Sequence, residues 1–169
     1  MKRQYSYVGD EAILHNVDLT LVGTKILSVN DVRNWIQQTR QELTNNQVIA
    51  TFVVNLQEEL LINDRHSEHV MCAGGNQVLS AGEIIFEVTG KNLEFKEIEV
   101  IAISNQSTGY CPEPSSWQSV ARALQKTSLV FPDYFTNAFE FRYCLDCKQI
   151  NLVKDQLFEC IVCGNALDI

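Results

Sequence analysis

The sequence contains no apolar run as long as the roughly 18 residues that a bilayer-spanning helix needs. Its basic start, at Lys2 and Arg3, is not followed by the apolar stretch of a secretory signal peptide. We therefore expect a cytoplasmic protein that contacts no membrane. Thiols are kept reduced in that compartment, where paired cysteines are metal ligands more often than disulfides.

Basic residues are also scarce. The chain has 13 Lys and Arg against 21 Asp and Glu, which gives a formal net charge of −8. No basic run is longer than Lys2-Arg3. Phosphate backbones and anionic lipids repel such a chain, so the composition argues against a nucleic-acid partner.

The 169 residues, 46% of them hydrophobic, suffice for one domain with a small appended module. Apolar residues at helical spacing predict helices over 31–44, with Asn30 as the N-cap, and over 115–126. Runs rich in β-branched residues predict strands over 48–54, 59–62, 83–88 and 93–104. In the last strand we expect Ile98, Val100 and Ala102 to share one face. Because the strands follow one another in hairpin order, residues 1–136 are predicted to form an α+β domain with a mostly antiparallel sheet and two helices.

The clearest motif lies near the C-terminus. Cys144-Leu-Asp-Cys147 and Cys160-Ile-Val-Cys163 are two Cys-x-x-Cys turns. Each turn can present both sulfurs on one side, and two turns close a tetrahedron around one metal ion. Four thiolates suit zinc and also iron, while the alternative is four ordinary thiols. The turns resemble the knuckles of rubredoxin-like zinc ribbons. This resemblance implies a structural Zn²⁺ on Cys144, Cys147, Cys160 and Cys163 in a ribbon over 137–169.

The charge of the predicted ribbon bears on its role. The predicted ribbon contains more acidic than basic residues. The basic ones are Arg142, Lys148 and Lys154, and the acidic ones are Glu140, Asp146, Asp155, Glu159 and Asp168. Four thiolates with one Zn²⁺ add further negative charge. Such a surface is poorly suited to phosphate, so we interpret the ribbon as a structural cap or a platform for protein docking.

Any chemistry would reside in the polar segments of the middle of the chain, which hold His66 and His69. If their loops meet at one rim of the sheet, His66 or His69 can serve as a general base with Glu83 as its carboxylate partner. Further candidates for hydrogen bonds to a ligand are Arg65, Asn105, Ser107, Thr108 and Tyr110. The alternatives are a solvated loop, a metal site on His66, His69 and Glu83, or a nucleophilic Cys72 or Cys111.

Two segments carry a second resemblance. Residues 65–83 and 104–114 resemble a family of uncharacterised bacterial proteins that also end in a zinc ribbon. Ala81-Gly82-Glu83 and Ser107-Thr108-Gly109-Tyr110 are also similar to an Ala-Gly-Glu and Ser-Gly-His-Tyr pair in modules attached to bacterial polymorphic toxins. This chain has Gly109 where those modules have histidine. The resemblance implies a bacterial origin and a setting in bacterial conflict or defence.

These observations leave two functional hypotheses open. The first is a binding protein whose polar rim recognises a protein or a small-molecule ligand, with the ribbon as brace or docking site. The second is a hydrolase or transferase that uses His66 or His69 with Glu83. A nucleic-acid regulator built on the ribbon is disfavoured by the acidic charge.

Overall fold

The computed structural model describes residues 2–90 and 97–168. In the described part, the N-terminal portion contains four α-helices and five strands, and two further strands follow near the C-terminus. The helices are α1 (Glu11–Asn16), α2 (Val29–Gln38), α3 (His69–Cys72) and α4 (Trp117–Gln125), the last preceded by a 3-10 turn over Pro114–Ser116. The strands are β1 (Thr24–Ile26), β2 (Gln47–Val54), β3 (Leu60–Asp64), β4 (Ser80–Thr89), β5 (Glu97–Ile103), β6 (Glu140–Tyr143) and β7 (Ile150–Val153). None of the described helices is both long enough and apolar enough to cross a membrane.

The first five strands form one sheet in the order β1-β3-β2-β4-β5, and each neighbouring pair is antiparallel. The predicted α+β fold class is thus confirmed, together with the antiparallel sheet and its two longer helices, α2 and α4. No sequence pattern predicts the segment that forms α1 and β1. A loop is predicted where the short helix α3 lies.

Apolar side chains cover both faces of the sheet. On the first face, Val32 and Trp35 of α2 and Leu124 of α4 belong to one buried cluster with Phe52 and Phe86. Residues of opposite parity, such as Val53 of β2 and Ala81 of β4, join a second cluster with Tyr5, Val70 and Tyr110. Successive residues of a strand face opposite sides, so β2, β3 and β4 contribute to both clusters. Burial on both faces makes the end of β2, Phe52 to Val54, a continuous apolar run instead of an alternating one.

Helix α2 begins earlier and ends earlier than the predicted range 31–44. Ser28, and not Asn30, is the N-cap, because its side chain accepts a hydrogen bond from the Asp31 amide. The helix stops at Gln38 because Thr39 adopts an extended conformation with ψ of 147°. The Thr39 hydroxyl donates to the Asp64 carboxylate of β3, and this tertiary contact replaces the further helical turn.

Strand β5 contains an irregularity that the sequence did not reveal. Phe86 is paired with Val100 and Ile85 with Ala102, so the register shifts between these pairs. The extra residue in β5 reverses the face of the sheet to which the side chains after it point. As a result Ile98 and Val100 are buried as predicted, but Ile103 takes the place in the core that we expected for Ala102. Residues 93–96 of the predicted strand lie outside the described residues.

The C-terminal module is a two-stranded hairpin of β6 and β7 with its own small apolar cluster, Cys144, Cys160 and Leu167. Asn105, at the end of β5, joins this module to the sheet. Its side chain donates to the Phe139 carbonyl and accepts from the Phe139 amide, each at 2.7 Å. The ribbon is therefore held against the α+β domain immediately before β6 begins.

Candidate metal centre and polar cavity

The four predicted metal-binding cysteines converge on one point, with all four sulfur atoms within 4.8 Å of one another. The Sγ atoms of Cys144 and Cys163 are 3.6 Å apart, and those of Cys147 and Cys160 are 3.5 Å apart. None of the four is in a disulfide. A tetrahedral ion with metal–sulfur bonds of about 2.3 Å requires sulfurs about 3.8 Å apart, so the cluster fits such an ion.

Two turns of nearly identical backbone geometry present these sulfurs. The Cys144 carbonyl accepts from the Lys148 amide at 3.0 Å, and the Cys160 carbonyl accepts from the Gly164 amide at 2.8 Å. Lys148 and Gly164, the residues that follow each turn, have positive φ values of 64° and 75°. That conformation is strained for lysine and easy for glycine, and at both places it reverses the chain.

One sulfur of the cluster, that of Cys160, is favoured in its ionised form, whereas burial and the neighbouring thiols raise the pKa of Cys147 and of Cys163. The amide of Cys163, together with the amide of Val162, donates to the Cys160 sulfur and holds the pKa of that thiol well below its usual range. Metal ions bind the thiolate form, so amides that face the sulfur favour the ligating state. All four ligands would come from the protein, and a four-coordinate ion held in this way keeps no open position for a substrate.

Asn151 belongs to the candidate metal centre although no sequence motif includes it. Its side chain is buried, with 2% of its surface exposed, and it donates to the Cys160 sulfur at 3.5 Å. It also donates to the Gln149 carbonyl at 3.0 Å and accepts from the Ile161 amide at 3.1 Å. No local pattern around Asn151 signals this role, which depends on the pairing of β7 with β6.

The aliphatic side chains between the cysteines of the two turns are exposed to solvent. Leu145 is 62% exposed, Ile161 is 83% exposed and Val162 is 64% exposed. All three belong to the two turns that meet at the cysteine cluster. The ribbon therefore carries aliphatic side chains on its outer surface, directly beside the candidate metal centre.

Most of the other predicted site residues line one polar cavity of about 260 Å³ on the second face of the sheet. Thr51 and Glu83, which are directly paired across β2 and β4, contribute its floor. The cavity walls come from the loop that precedes α3 and the loop that follows β5. Its lining residues are Thr51, Arg65, His66, Ser67, Glu68, His69, Glu83, Gln106, Ser107 and Thr108.

Contacts within this cavity do not form a histidine–carboxylate pair. Arg65 approaches the Glu83 carboxylate at 3.8 Å, and His69 Nε2 lies 3.0 Å from the Gly82 carbonyl. Across residues 2–90 and 97–168, no hydrogen bond joins His66 or His69 to Glu83. Burial lowers the pKa of His69, which favours the neutral ring with Nε2 as donor to that carbonyl.

Asn105 and Tyr110 are placed away from the cavity. The Asn105 side chain is fully buried and is engaged by Pro112 and Phe139, at 2.7 Å each. Tyr110 is buried in the second core cluster, and its hydroxyl donates to the Asn76 carbonyl at 2.8 Å. Burial raises the pKa of Tyr110, so it stays protonated. In this structure the polar groups of both residues join segments of the fold.

The two remaining cysteines are poorly placed as nucleophiles. Burial raises the pKa of Cys72 to about 12, and Cys72 packs in the second core cluster. Burial also raises the pKa of Cys111 to about 12. A thiol needs a lowered pKa to attack a substrate at neutral pH, so neither side chain has the required environment.

Comparison with family models, with curated proteins and with solved structures finds no match for this chain. The resemblance to bacterial and toxin-associated proteins therefore stays a prediction. The cysteine cluster is independent of that resemblance, because it follows from the positions of the four sulfurs themselves.

Proposed function

We propose that this chain is a zinc-containing binding protein, in which zinc holds the C-terminal ribbon together and the two metal-binding turns contact a partner protein. The observation that carries this proposal is the exposure of Leu145, Ile161 and Val162, at 62%, 83% and 64%, around the cysteine cluster. Exposed aliphatic side chains held together on a rigid support are typical of protein contact surfaces.

The charge around these side chains indicates what kind of partner fits them. Asp146 lies within the first turn and Glu159 directly precedes the second, and both are exposed. An ion bound by four thiolates leaves the centre itself negative. The partner is therefore a protein with an apolar contact surface and a basic rim, since complementary charge speeds association and excludes wrong partners.

Zinc is the ion that this site suits best within the proposal. Four cysteine ligands in two tight turns form a closed tetrahedral site, which is the usual structural zinc site. In such a site the metal supplies folding free energy and no catalysis. A setting in bacterial conflict or defence remains a prediction from the resemblance of residues 65–83 and 104–114 alone.

The proposal is tested in two steps. Native mass spectrometry of the purified protein is expected to show one zinc ion per chain. Capture of proteins from an extract of the source organism then compares the wild type with the double variant Ile161→Asp/Val162→Asp. Leu157→Asp is the matched control, because Leu157 is an aliphatic residue of the same ribbon, 63% exposed, that lies outside both turns.

The expected result is a specific partner that the wild type and Leu157→Asp retain and the double variant loses. The zinc content of all three proteins should be equal, because none of the changes touches a cysteine. Equal capture by the double variant would show that the turns do not form the contact surface.

A second candidate function, a hydrolase or transferase, is favoured by one observation: His66, His69, Glu83, Ser107 and Thr108 line the same cavity. Its test is turnover of ester, amide and phosphoester substrates by the wild type and by His66→Ala and Glu83→Ala. Loss of a measured activity in both variants, with an unchanged melting temperature, would support catalysis. No activity in the wild type would leave the cavity without a catalytic role.

A further inference from the structure

A cleft of about 680 Å³ lies between the N-terminal segment and the ribbon, which is a size typical of ligand sites. One wall includes Gln4 and Ser6, and the other includes Phe141 and Tyr143 of β6. No sequence motif includes any of these four residues. Both walls are extended segments, so the backbone groups that they present to the cleft decide what it can bind.

On the first wall, the backbone of Tyr5 is fully paired. Its amide donates to the Val78 carbonyl at 2.8 Å, and its carbonyl accepts from the Val78 amide at 3.0 Å. Backbone groups of successive residues in an extended chain point to opposite sides. The N–H and C=O groups of Gln4 and Ser6 therefore point away from Val78, on the side of the cleft. No hydrogen bond within the described residues engages them.

On the second wall, the same alternation applies to β6. The Cys144 amide donates to the Gln149 carbonyl at 2.8 Å, towards the β7 side of the hairpin. The backbone of Tyr143, one residue earlier, and that of Phe141, two residues before that, therefore point away from β7. The Phe141 carbonyl agrees with this direction, because it accepts from the Arg142 guanidinium at 2.9 Å and not from β7.

We propose that this cleft binds an extended peptide segment of a partner protein, which adds as a strand to the free edges of residues 4–6 and of β6. Apart from the Phe141 carbonyl, which Arg142 already holds, the backbone groups on these edges are unpaired within the described residues, and a peptide strand satisfies them where a compact small molecule does not. This inference rests on the proposed binding function and names the form of the partner. It concerns a surface separate from the tips of the metal-binding turns.

Side chains around the cleft indicate that the peptide is apolar and not acidic. Phe141 and Tyr143 lie on one face of β6, where they can pack on alternate side chains of an added strand. Both arginines at the cleft already have partners, since Arg3 pairs with Glu113 and Arg142 pairs with Glu140, while Asp168 adds a negative charge to the lining. An acidic peptide would therefore find no free countercharge on these arginines, which argues against acidic residues.

The test uses the zinc-loaded full chain and a phage-displayed library of uncharged heptapeptides as the probe. Ser6→Pro removes the Ser6 N–H without touching the bonds of Tyr5 to Val78. Ser6→Ala is the matched control, because both variants lose the hydroxyl contact with Gln77 but only the proline loses the N–H. Circular dichroism and melting temperature establish whether both variants fold.

The expected result is enrichment of peptides with apolar residues at alternate positions. We expect Ser6→Ala to bind them as the wild type does and Ser6→Pro to bind about tenfold more weakly, the effect of one lost hydrogen bond with an unpaired group left behind. Chemical shifts of the Gln4, Ser6, Phe141 and Tyr143 amides in the wild type should change on peptide addition. This last measurement keeps the proposal testable if Ser6→Pro fails to fold.

Three outcomes would overturn the inference. Absence of enriched peptides would show that the edges bind no strand. Binding that Ile161→Asp/Val162→Asp abolishes and Ser6→Pro preserves would place the partner on the metal-binding turns, so that the proposed function stands and the cleft is rejected. Shifts of the same four amides with protein concentration alone would show that a second copy of the chain occupies the cleft.

Discussion

Asn151 donates a hydrogen bond from its side-chain amide to the sulfur of Cys160, 3.5 Å away, while its carbonyl oxygen accepts from the amide of Ile161. The same side chain holds the Gln149 carbonyl, which lies just beyond the other metal-binding turn. One buried residue thus connects both turns of the cluster. Such outer contacts fix the direction of a ligand and adjust its basicity.

Replacement of Asn151 by leucine is expected to weaken zinc binding by about 10- to 100-fold, because it removes the donor to the Cys160 sulfur and both backbone contacts. Competition with a chelator of known affinity measures the change. Asn165→Leu is the matched control, since Asn165 belongs to the same ribbon and its side chain is exposed. Equal zinc affinities for the two variants would show that Asn151 does not contribute to metal binding.

Removal of the metal is expected to unfold the ribbon and leave the α+β domain folded. Among the described residues, the ribbon's buried cluster comprises Cys144, Cys160 and Leu167, with the partly buried Phe158 against it, whereas the domain has two larger clusters of its own. So small a core needs the metal. Hydrogen exchange of the chelated protein, or of Cys144→Ser, should become fast in β6 and β7 and stay slow in β2 and β4. Uniformly fast exchange would show that the domain depends on the metal too.

The pH dependence of stability should report the burial of His69. Burial lowers the pKa of His69 in the folded state, so the unfolded chain takes up the proton more readily. The free energy of unfolding therefore falls as the pH drops below the unfolded value of about 6.5, and the loss continues down to the folded pKa. Above pH of about 6.5 the contribution is complete.

His69→Gln keeps an amide donor towards the Gly82 carbonyl and removes the titration. Its melting temperature is expected to fall less than that of the wild type between about pH 7 and about pH 5. His66→Gln, at an exposed histidine of the same segment, should retain the wild-type slope. Identical slopes for all three proteins would mean that His69 is as accessible to protons as it is in the unfolded chain.

The fold was predictable where strand composition is decisive. The segment 48–54 is rich in β-branched residues, and the strand occupies Gln47–Val54. The end of α2 was not predictable, because it depends on the contact of Thr39 with Asp64. Likewise, the exchange of Ala102 for Ile103 in the core follows from a register shift against β4, which local periodicity does not encode.

The candidate site likewise has residues that the sequence predicts and residues that it does not. The four cysteines are predictable because their spacing by itself determines a turn that presents two sulfurs. Asn151 was not, since its role depends on where β7 brings it. The sequence grouped Asn105 with the polar cavity residues, whereas its side chain bonds Pro112 and Phe139. Adjacency in sequence indicated a shared loop but not the direction of each side chain.

Asn105→Ala is expected to loosen the attachment of the ribbon without releasing its metal. The change leaves the Pro112 carbonyl and both backbone groups of Phe139 without their partner, at a cost of order 3 kcal/mol in the free energy of unfolding. Faster hydrogen exchange at the Phe139 amide, with unchanged zinc content, is the expected observation. Gln106→Ala is the control, because Gln106 is the exposed neighbour. Equal exchange rates in both variants would show that the joint lies elsewhere.

Gly82 permits a close approach between β4 and the chain that follows β5. A Cβ atom on Gly82 would lie 1.9 Å from the Ser104 carbonyl oxygen, which is backbone and cannot rotate away. Gly82→Ala should therefore displace the loop that carries Ser107 and Thr108, and lower the free energy of unfolding by about 3 kcal/mol.

Urea denaturation measures this loss for Gly82→Ala, with Gly9→Ala as the control. At Gly9 the added Cβ would meet the Tyr7 hydroxyl at 2.5 Å, a side-chain end that can move aside, so the cost there should stay well under about 1 kcal/mol. Equal stabilities of the two variants would mean that the Ser104 backbone yields as easily as the Tyr7 ring. The polar cavity would then lack the rigid wall that a binding or catalytic pocket needs to hold Ser107 and Thr108 in place.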